Sequence, residues 1–245
     1  MSNLHKLDKI LRNQASNVSV HKTADPYLYA RSIAEIENVI AVVSDLSNCH
    51  SRIFTGGFAN ALGLQNYTSE DSIWEKNIIS LMSEQEQEEK IKAELRFYHF
   101  LRHISKAKRN EYYLLSKLRF TLPDGKVINV MHKMYYIYDS EKDNIIYAIC
   151  LYGPMIFDIC GKSMVVNSIT GITEELTSTA DNKILSKREL QVLSLIDTGM
   201  KSTDIADILN ISINTVNRHR QEILSKLQVK NSHEACRIAK SLNMI

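Results

Sequence analysis

Apolar residues recur along this chain in two rhythms, and the places where one gives way to the other mark its elements. Leu4, Leu7, Ile10 and Leu11 have helical spacing and predict a short helix, followed by a polar stretch containing Pro26. Val39 to Val43 is a continuous apolar run. A polar turn through Ser47 and Asn48 joins it to Arg52-Ile53-Phe54, which predicts a β-hairpin. Gly56 and Gly57 then break the chain before a short helix from Phe58 to Gly63. Ser83 and Glu86 form a capping box that opens a long helix over residues 84–109. Its acidic run Glu84 to Glu89 and its basic end at Lys106, Lys108 and Arg109 each suit the helix dipole. Glu86 with Lys90 and Glu88 with Lys92 are favourable i,i+4 pairs, so the charge run reads as a solvated face. Phe97, Leu101 and Ile104 supply the buried side, with Phe100 at its margin. The period then drops to two. Leu118, Phe120 and Leu122 alternate with polar residues up to the turn Pro123-Asp124-Gly125, and runs at 127–138 and 145–152 complete a three-stranded antiparallel meander.

From Leu185 onward the helical rhythm returns in short pieces. Ser186 and Glu189 form a second capping box, and Leu190, Val192, Leu193 and Ile196 make an apolar stripe that ends at Gly199. Ile205, Ala206, Ile208 and Leu209 define the next helix, which Asn210 terminates. Ser212 caps a third, whose inner face is Val216, Ile223 and Leu227. Its other face is the informative one. Asn214, Asn217, Arg218 and Gln221 stand at i, i+3, i+4 and i+7, so all four can enter one DNA groove. Arg bonds guanine through two donors and Asn or Gln bonds adenine bidentately, each good pair contributing ~1–3 kcal/mol of discrimination. Thr215, His219, Arg220, Lys226 and Lys230 are placed as phosphate contacts. Packing over the helix junction is an equal alternative for His219.

Charge follows the same division. Residues 181–245 hold ten Lys/Arg against seven Asp/Glu, net +3, while residues 1–180 hold twenty against twenty-one, net −1. So small an excess predicts that tight operator binding needs a homodimer. A length of 245 residues fits two ordinary domains. Neither a leader peptide nor an apolar run of about 20 residues is evident, so a cytoplasmic protein without a membrane partner is expected. Cys49, Cys150, Cys160 and Cys236 are scattered, which argues against a disulfide framework or a zinc site and for core thiols.

The tail, with Leu185-Ser186-Lys187-Arg188-Glu189, Gly199, Asp204-Ile205-Ala206 and Thr215-Val216-Asn217-Arg218-His219-Arg220, resembles the LuxR/NarL-type helix-turn-helix of bacterial transcription regulators. The resemblance implies a fourth helix at about 232–242. Its seam of Ala235, Ile238, Ala239 and Leu242 would join two DNA-bound copies or close the domain's own core. Two positions depart from the family pattern. Lys201 stands where a small capping residue opens the second helix, which moves the expected cap to Ser202, and Asn217 stands where a basic residue is frequent. Residues 38–170 resemble a PAS sensor, most closely from Leu118 to Tyr152. That implies a cavity able to hold a small molecule, haem or flavin, and the sequence leaves the cofactor unknown. His99 and His103, one turn apart, read as solvent-facing. His132, Met134 and Tyr136 share a strand face and are the candidate ligand contacts, with His132 alternatively a satisfied core or surface histidine.

The expected fold class is therefore α+β, an N-terminal PAS-like antiparallel sheet with helices plus a C-terminal all-α four-helix helix-turn-helix domain. The expected divisions are 1–37 a helical segment, 38–170 the sensor, 171–183 a linker, and 184–245 the DNA-binding domain. The function read from this is a sequence-specific transcriptional regulator, not an enzyme, whose sensor answers a small-molecule ligand or partner. Its partners are double-stranded DNA, a second copy and RNA polymerase. A sigma-like polymerase subunit and an enzyme with a DNA-binding appendage are the alternatives. No phosphate loop, nucleophile elbow or zinc-protease helix supports the latter.

Overall fold

The computed structural model describes residues 25–139, 144–176, 185–227, 229, 231–241 and 244–245. They form two compact units, the first built from residues up to Phe97 and from Leu101–Glu175, the second mainly from Leu176–Ile245. The fold class is α+β, with all the strands described in the first unit and a bundle of short helices in the second.

The first unit opens with α1 (Pro26–Glu37), where only a polar stretch was expected. Pro26 sits at the first helical position, where its missing N–H costs nothing, and the Asp25 carboxylate accepts from the Tyr27 N–H at 2.9 Å. The expected helix at Leu4 to Leu11 lies outside the described residues. The predicted hairpin is β1 (Ile40–Asp45) and β2 (His50–Thr55), paired from Ile40 opposite Thr55 to Asp45 opposite His50. Asp45 builds the turn by accepting from the N–H groups of Ser47 and Asn48 at 2.9 and 3.0 Å. Gly56 is required by close approach, since a Cβ there would lie 2.0 Å from the Ala34 carbonyl of α1.

Short elements α2 (Phe58–Ala61), β3 (Ser69–Glu70) and α3 (Lys76–Ile79) lead to the long helix α4 (Glu84–His103). This helix stops earlier than expected. Ile104 is already extended, Arg109 Nε donates to its carbonyl at 3.1 Å, and Lys106–Glu111 continues as a 3₁₀ turn. The meander is β4 (Tyr112–Thr121), β5 (Val127–Tyr138) and β6 (Ile145–Pro154). Two further strands were not foreseen: β7 (Ser163–Asn167) pairs with β4, and β8 (Thr173–Glu175) pairs with β7. Thr173–Glu175 therefore belongs to the sheet, which corrects the linker expected from residue 171. Residues 177–183 lie outside the described part. The sheet runs β3-β2-β1-β6-β5-β4-β7-β8, and its antiparallel pairing puts β1 beside β6.

Register fixes which residues share a face. On one face α1 lays Ala30 and Ala34 against Ala41, Val43, Ile149 and Leu151. A second patch on this face joins Leu115, Met131, Met164 and Val166 with Ile159. The other face carries Val42, Cys150, Tyr152, His132, Met134, Leu114 and Phe120. Here α4 brings Phe97 onto Tyr136, rings 5.6 Å apart and nearly parallel, and the segment before α3 takes hydrogen bonds from Ser44 and Ser51.

The charged run of α4 is not a solvated face. Glu86, Lys90 and Glu94 are each at most 3% exposed. The expected Glu86–Lys90 pair is replaced: Arg119 of β4 binds Glu86 at 3.1 Å, and Lys90 turns to Glu94, one turn on in the same helix, and to Glu75 outside it. Glu88 and Lys92 do pair, at 3.2 Å. His103 is exposed but His99 is buried, which corrects the reading of two solvent-facing histidines.

The second unit comprises α5 (Lys187–Asp197), α6 (Ser202–Leu209), α7 (Ile213–Leu227) and α8 (Ser232–Ser241). Its core is Val192, Leu193, Ile205, Ala206, Val216, Ile223 and Leu227 with Ala235, Ile238 and Ala239 of α8, all at most 5% exposed.

Candidate functional site

The turn chemistry of the second unit positions its outer helix. Ser186 Oγ accepts from the Glu189 N–H and the Glu189 carboxylate accepts from the Ser186 N–H at 2.6 Å, so the capping box of α5 is complete. Gly199, at φ 86°, ends α5, and Asn210, at φ 50°, ends α6, both by the left-handed conformation. At the start of α6 the cap stays at Lys201 instead of moving to Ser202. A lysine has no acceptor, so only half a box forms, Asp204 accepting from the Lys201 N–H at 3.3 Å. Arg188, not singled out from sequence, donates to the terminal Leu209 carbonyl of α6 at 2.6 Å and to Gln191 at 2.9 Å.

Ser212 Oγ accepts from the Thr215 N–H at 3.1 Å and so opens α7. With Val216, Ile223 and Leu227 buried, Asn214, Asn217, Arg218 and Gln221 are all exposed along the opposite side of the first turns. Glu222 stands 3.6 Å from Arg218 Nε, and the Arg218 side chain remains 69% exposed. Such a surface ion pair is weak, and phosphate or a base edge can displace it.

The residues assigned to phosphate divide differently from expectation. Thr215 shares its hydroxyl with Ser212 at 2.8 Å, at the N-terminal end of α7. His219 is largely buried, its Nδ1 3.4 Å from Glu222 of the same helix. Arg220 donates to Ser202 of α6 at 3.0 Å and to Ser232 of α8 at 3.3 Å, and Lys226 holds both oxygens of Glu189 at 2.8 Å. Arg220 and Lys226 thus tie helices of the domain to one another. Lys230 lies outside the described residues. Glu189, His219 and Glu222 bring ligand-type atoms within 4.8 Å of one another, but Lys226 already takes the Glu189 carboxylate. Burial works against ionising Glu189, yet Lys226 and Ser186 outweigh it and hold its carboxyl below the ordinary glutamate value. Of the seam residues, Ala235, Ile238 and Ala239 are buried in the domain's own core, where α8 packs on α5 and α7, which is the second of the two roles expected for them, and Leu242 lies outside the described residues.

In the first unit His132, Met134 and Tyr136 do share one buried face, at 0%, 3% and 5% exposure. Their surroundings are not apolar. The His132 ring stacks on Tyr152 at 4.7 Å, Tyr152 donates its hydroxyl to Glu75, and Lys90 lies 2.5 Å from Glu94 and 3.7 Å from Glu75. Neither His132 nitrogen has a hydrogen-bond partner, which corrects the reading of a satisfied histidine.

Residues 183–239 match the family model described as bacterial regulatory proteins, luxR family. They are a LuxR-family helix-turn-helix domain. Among curated relatives, the oxygen regulatory protein NreC of Staphylococcus epidermidis is 36% identical over 107 residues, 42% of this chain and 49% of that protein. NreC of Staphylococcus haemolyticus is 40% identical over 62 residues, 25% of this chain and 29% of that one. The chain thus spans about half the length, or less, of the curated relatives it matches. Among solved structures, the VqmA dimer of Vibrio cholerae, whose description places it with LuxR-type receptors, covers 89% of this chain and 87% of its own at 15% identity. Its TM-score of 0.31 is too low to carry an argument about the first unit. The LuxR-type domain therefore accounts for the C-terminal quarter of the chain.

Proposed function

We propose that this chain is a sequence-specific DNA-binding transcription regulator whose LuxR-type domain reads the major groove with Asn214, Asn217, Arg218 and Gln221. The observation that carries the reading is this quartet of exposed groove-reading side chains on the first turns of a serine-capped helix in a LuxR-family domain. The similarity to regulatory proteins named NreC supports it. Thr215 and Lys230 contact phosphate beside them, and two copies bind two half-sites, with RNA polymerase as the further partner. Residues 25–175 act as a PAS-like sensor of a small molecule or partner, which alters operator binding through the linker. No helix among the described residues is long and apolar enough to cross a membrane, in keeping with a cytoplasmic regulator. The test is selection of duplexes from a random pool by the full chain, followed by titration of the selected and scrambled duplexes. Enrichment of a two-half-site sequence, bound at least tenfold tighter than scrambled DNA, is expected, following the separation of specific from non-specific binding. Equal affinity for both duplexes sinks the proposal.

A further inference from the structure

One face of the sheet is covered only in part. Eight strands about 4.8 Å apart make a surface roughly 35 Å across. On the face that carries α1, that helix packs on β1, β2 and β6 and reaches Leu151. Farther along, the loop after β6 lays Met155 and Ile159 on Leu115, Met131 and Met164. Neither cover closes the gap between them.

A groove of about 390 Å³ occupies that gap. Val39, Met131, Leu151 and Gly153 line it with buried residues. Gly153 has no side chain to fill the space, and Val39 Cγ1 stands 2.8 Å from where a Cβ would be. The borders of the groove are exposed. Ile156 lines it at 76% exposure with Phe157 following at 52%, and Ile36, which precedes Glu37 of the lining, is exposed to 76%. Single exposed apolar residues are ordinary, but these adjoin one apolar hollow.

Two charged side chains stand in the groove, Glu37 and Lys133, and neither forms an ion pair or a side-chain hydrogen bond among the described residues. Glu37 is the last residue of α1, where the helix dipole disfavours a carboxylate, and the last turn has no basic residue to offset it. Lys133 lies on β5 between Met131 and Tyr135 of the same face, opposite Leu115 on one side and Leu151 on the other. A partner that brings a cation to Glu37 and an anion to Lys133 completes both. A second copy of this surface has one of each.

We propose that this groove is the contact between two copies of the chain related by a two-fold axis, Glu37 of each copy pairing with Lys133 of the other and the apolar border of each entering the other's hollow. A two-fold contact sets one patch against itself, so it needs a surface that is its own complement. This surface carries a hollow and projecting apolar side chains, and one unpaired charge of each sign. A purely acidic or purely basic segment satisfies only one of the two charges. The proposal names the dimer contact that the two-half-site reading above leaves open, and rests on that reading for its role on DNA but not for the pairing itself.

Two measurements on the full-length protein without DNA test it. Sedimentation velocity should show a wild-type dimer at micromolar concentration. Glu37→Lys and Lys133→Glu each set like charges against each other at both ends of a two-fold contact, and each should weaken self-association about tenfold or more. An equimolar mixture of the two variants should restore a dimer, since opposite charges then meet at both ends. Carbodiimide coupling of mixed ¹⁴N and ¹⁵N wild-type protein should join Glu37 to Lys133 in peptides of mixed isotope, a result that stands even if a variant does not fold. A wild-type monomer, a dimer indifferent to both reversals, a loss that mixing does not repair, or coupling only within one copy overturns the proposal. Coupling of Glu37 or Lys133 to residues 1–24 in a monomer would assign the groove to that segment instead. A groove-dependent dimer without operator preference upholds the surface and removes the DNA reading, and operator preference with groove-independent assembly does the reverse.

Discussion

Each unit of this protein sets a lysine against buried glutamate, but Lys90 is 3% exposed and faces two carboxylates, whereas Lys226 is 37% exposed and faces one. In the LuxR-type domain one Lys226 meets one Glu189, whose oxygens are also used by the Ser186 N–H, and the charges balance. In the first unit Lys90 meets two glutamates beside a histidine with no hydrogen-bond partner at either nitrogen. The first is a closed clamp between the ends of α5 and α7. The second is closed only for its charges, and leaves a donor and an acceptor unused in the interior. A buried ion pair alone is weak evidence of function. What separates the two regions is degree: His132 has both nitrogens unused beside the Lys90 cluster, whereas beside the Lys226 clamp only His219 Nδ1 is, with Glu222 3.4 Å away.

The largest effect should come from removing the single cation of the Glu75–Lys90–Glu94 cluster. Lys90→Met leaves two buried carboxyl groups without their cation and should destabilise the first unit by about 3–5 kcal/mol. Adding Glu94→Gln should recover part of that loss, because the two sites couple directly. Urea unfolding of the single and double variants measures both terms, and purely additive losses would show that Lys90 and Glu94 do not work as a pair. Lys226→Met should cost less, about 1–3 kcal/mol, because Glu189 keeps the Ser186 N–H and Lys226 is itself partly exposed. Its stability loss should be lodged in the second unit, read by hydrogen exchange in α5 and α7. A uniform loss of DNA affinity with unchanged exchange would return Lys226 to the phosphate contacts.

The contrast also explains what could be read from sequence. Caps and turns were legible because their signals are local: Ser186 with Glu189, Gly199, Asn210 and Ser212 each act within four residues. The hairpin and meander were legible for the same reason, as alternation fixes a strand face without knowledge of its partner. The buried charges were not. Glu86 and Lys90 have the spacing of a surface pair, but their partners Arg119 and Glu75 lie on other elements that the spacing does not record. Ala235, Ile238 and Ala239 show which face of α8 is apolar and say nothing about whether its own domain or a second copy covers it. Strand β8 was missed because Thr173–Glu175 is a short polar edge, recognisable only by its pairing with β7.

Reading of bases gives a smaller and more specific effect than either ion cluster. Arg218→Ala should lose ~1–3 kcal/mol of discrimination at one base position and little on random DNA. It should leave the thermal stability nearly unchanged, since Arg218 is exposed and its ion pair with Glu222 lies at the surface. Titrating the variant against duplexes altered at each position checks this, and an equal loss on every duplex would make Arg218 a phosphate contact.

The smallest effect, and the one that compares the two glutamate sites most directly, is the dependence on acid. Glu189 is held below its ordinary value when folded. Its contribution is therefore complete above the unfolded glutamate value of about 4.3, and is lost as pH falls through the folded value. Glu94 is raised when folded, chiefly by burial. Its carboxyl favours folding most below the unfolded value, and that contribution is lost as pH rises towards the folded one. Acidification from about pH 6 to pH 3 should thus strengthen the first unit through Glu94 above about pH 4.3 and weaken the second through Glu189 below it. Exchange protection of each unit in wild type, Glu189→Gln and Glu94→Gln, followed across that range, separates the two contributions. Glu189→Gln should flatten the acid loss of α5 and α7, and Glu94→Gln should flatten the acid gain of α4. Slopes of the same sign in both units would mean that the two lysine–glutamate clusters differ in geometry but not in electrostatic balance.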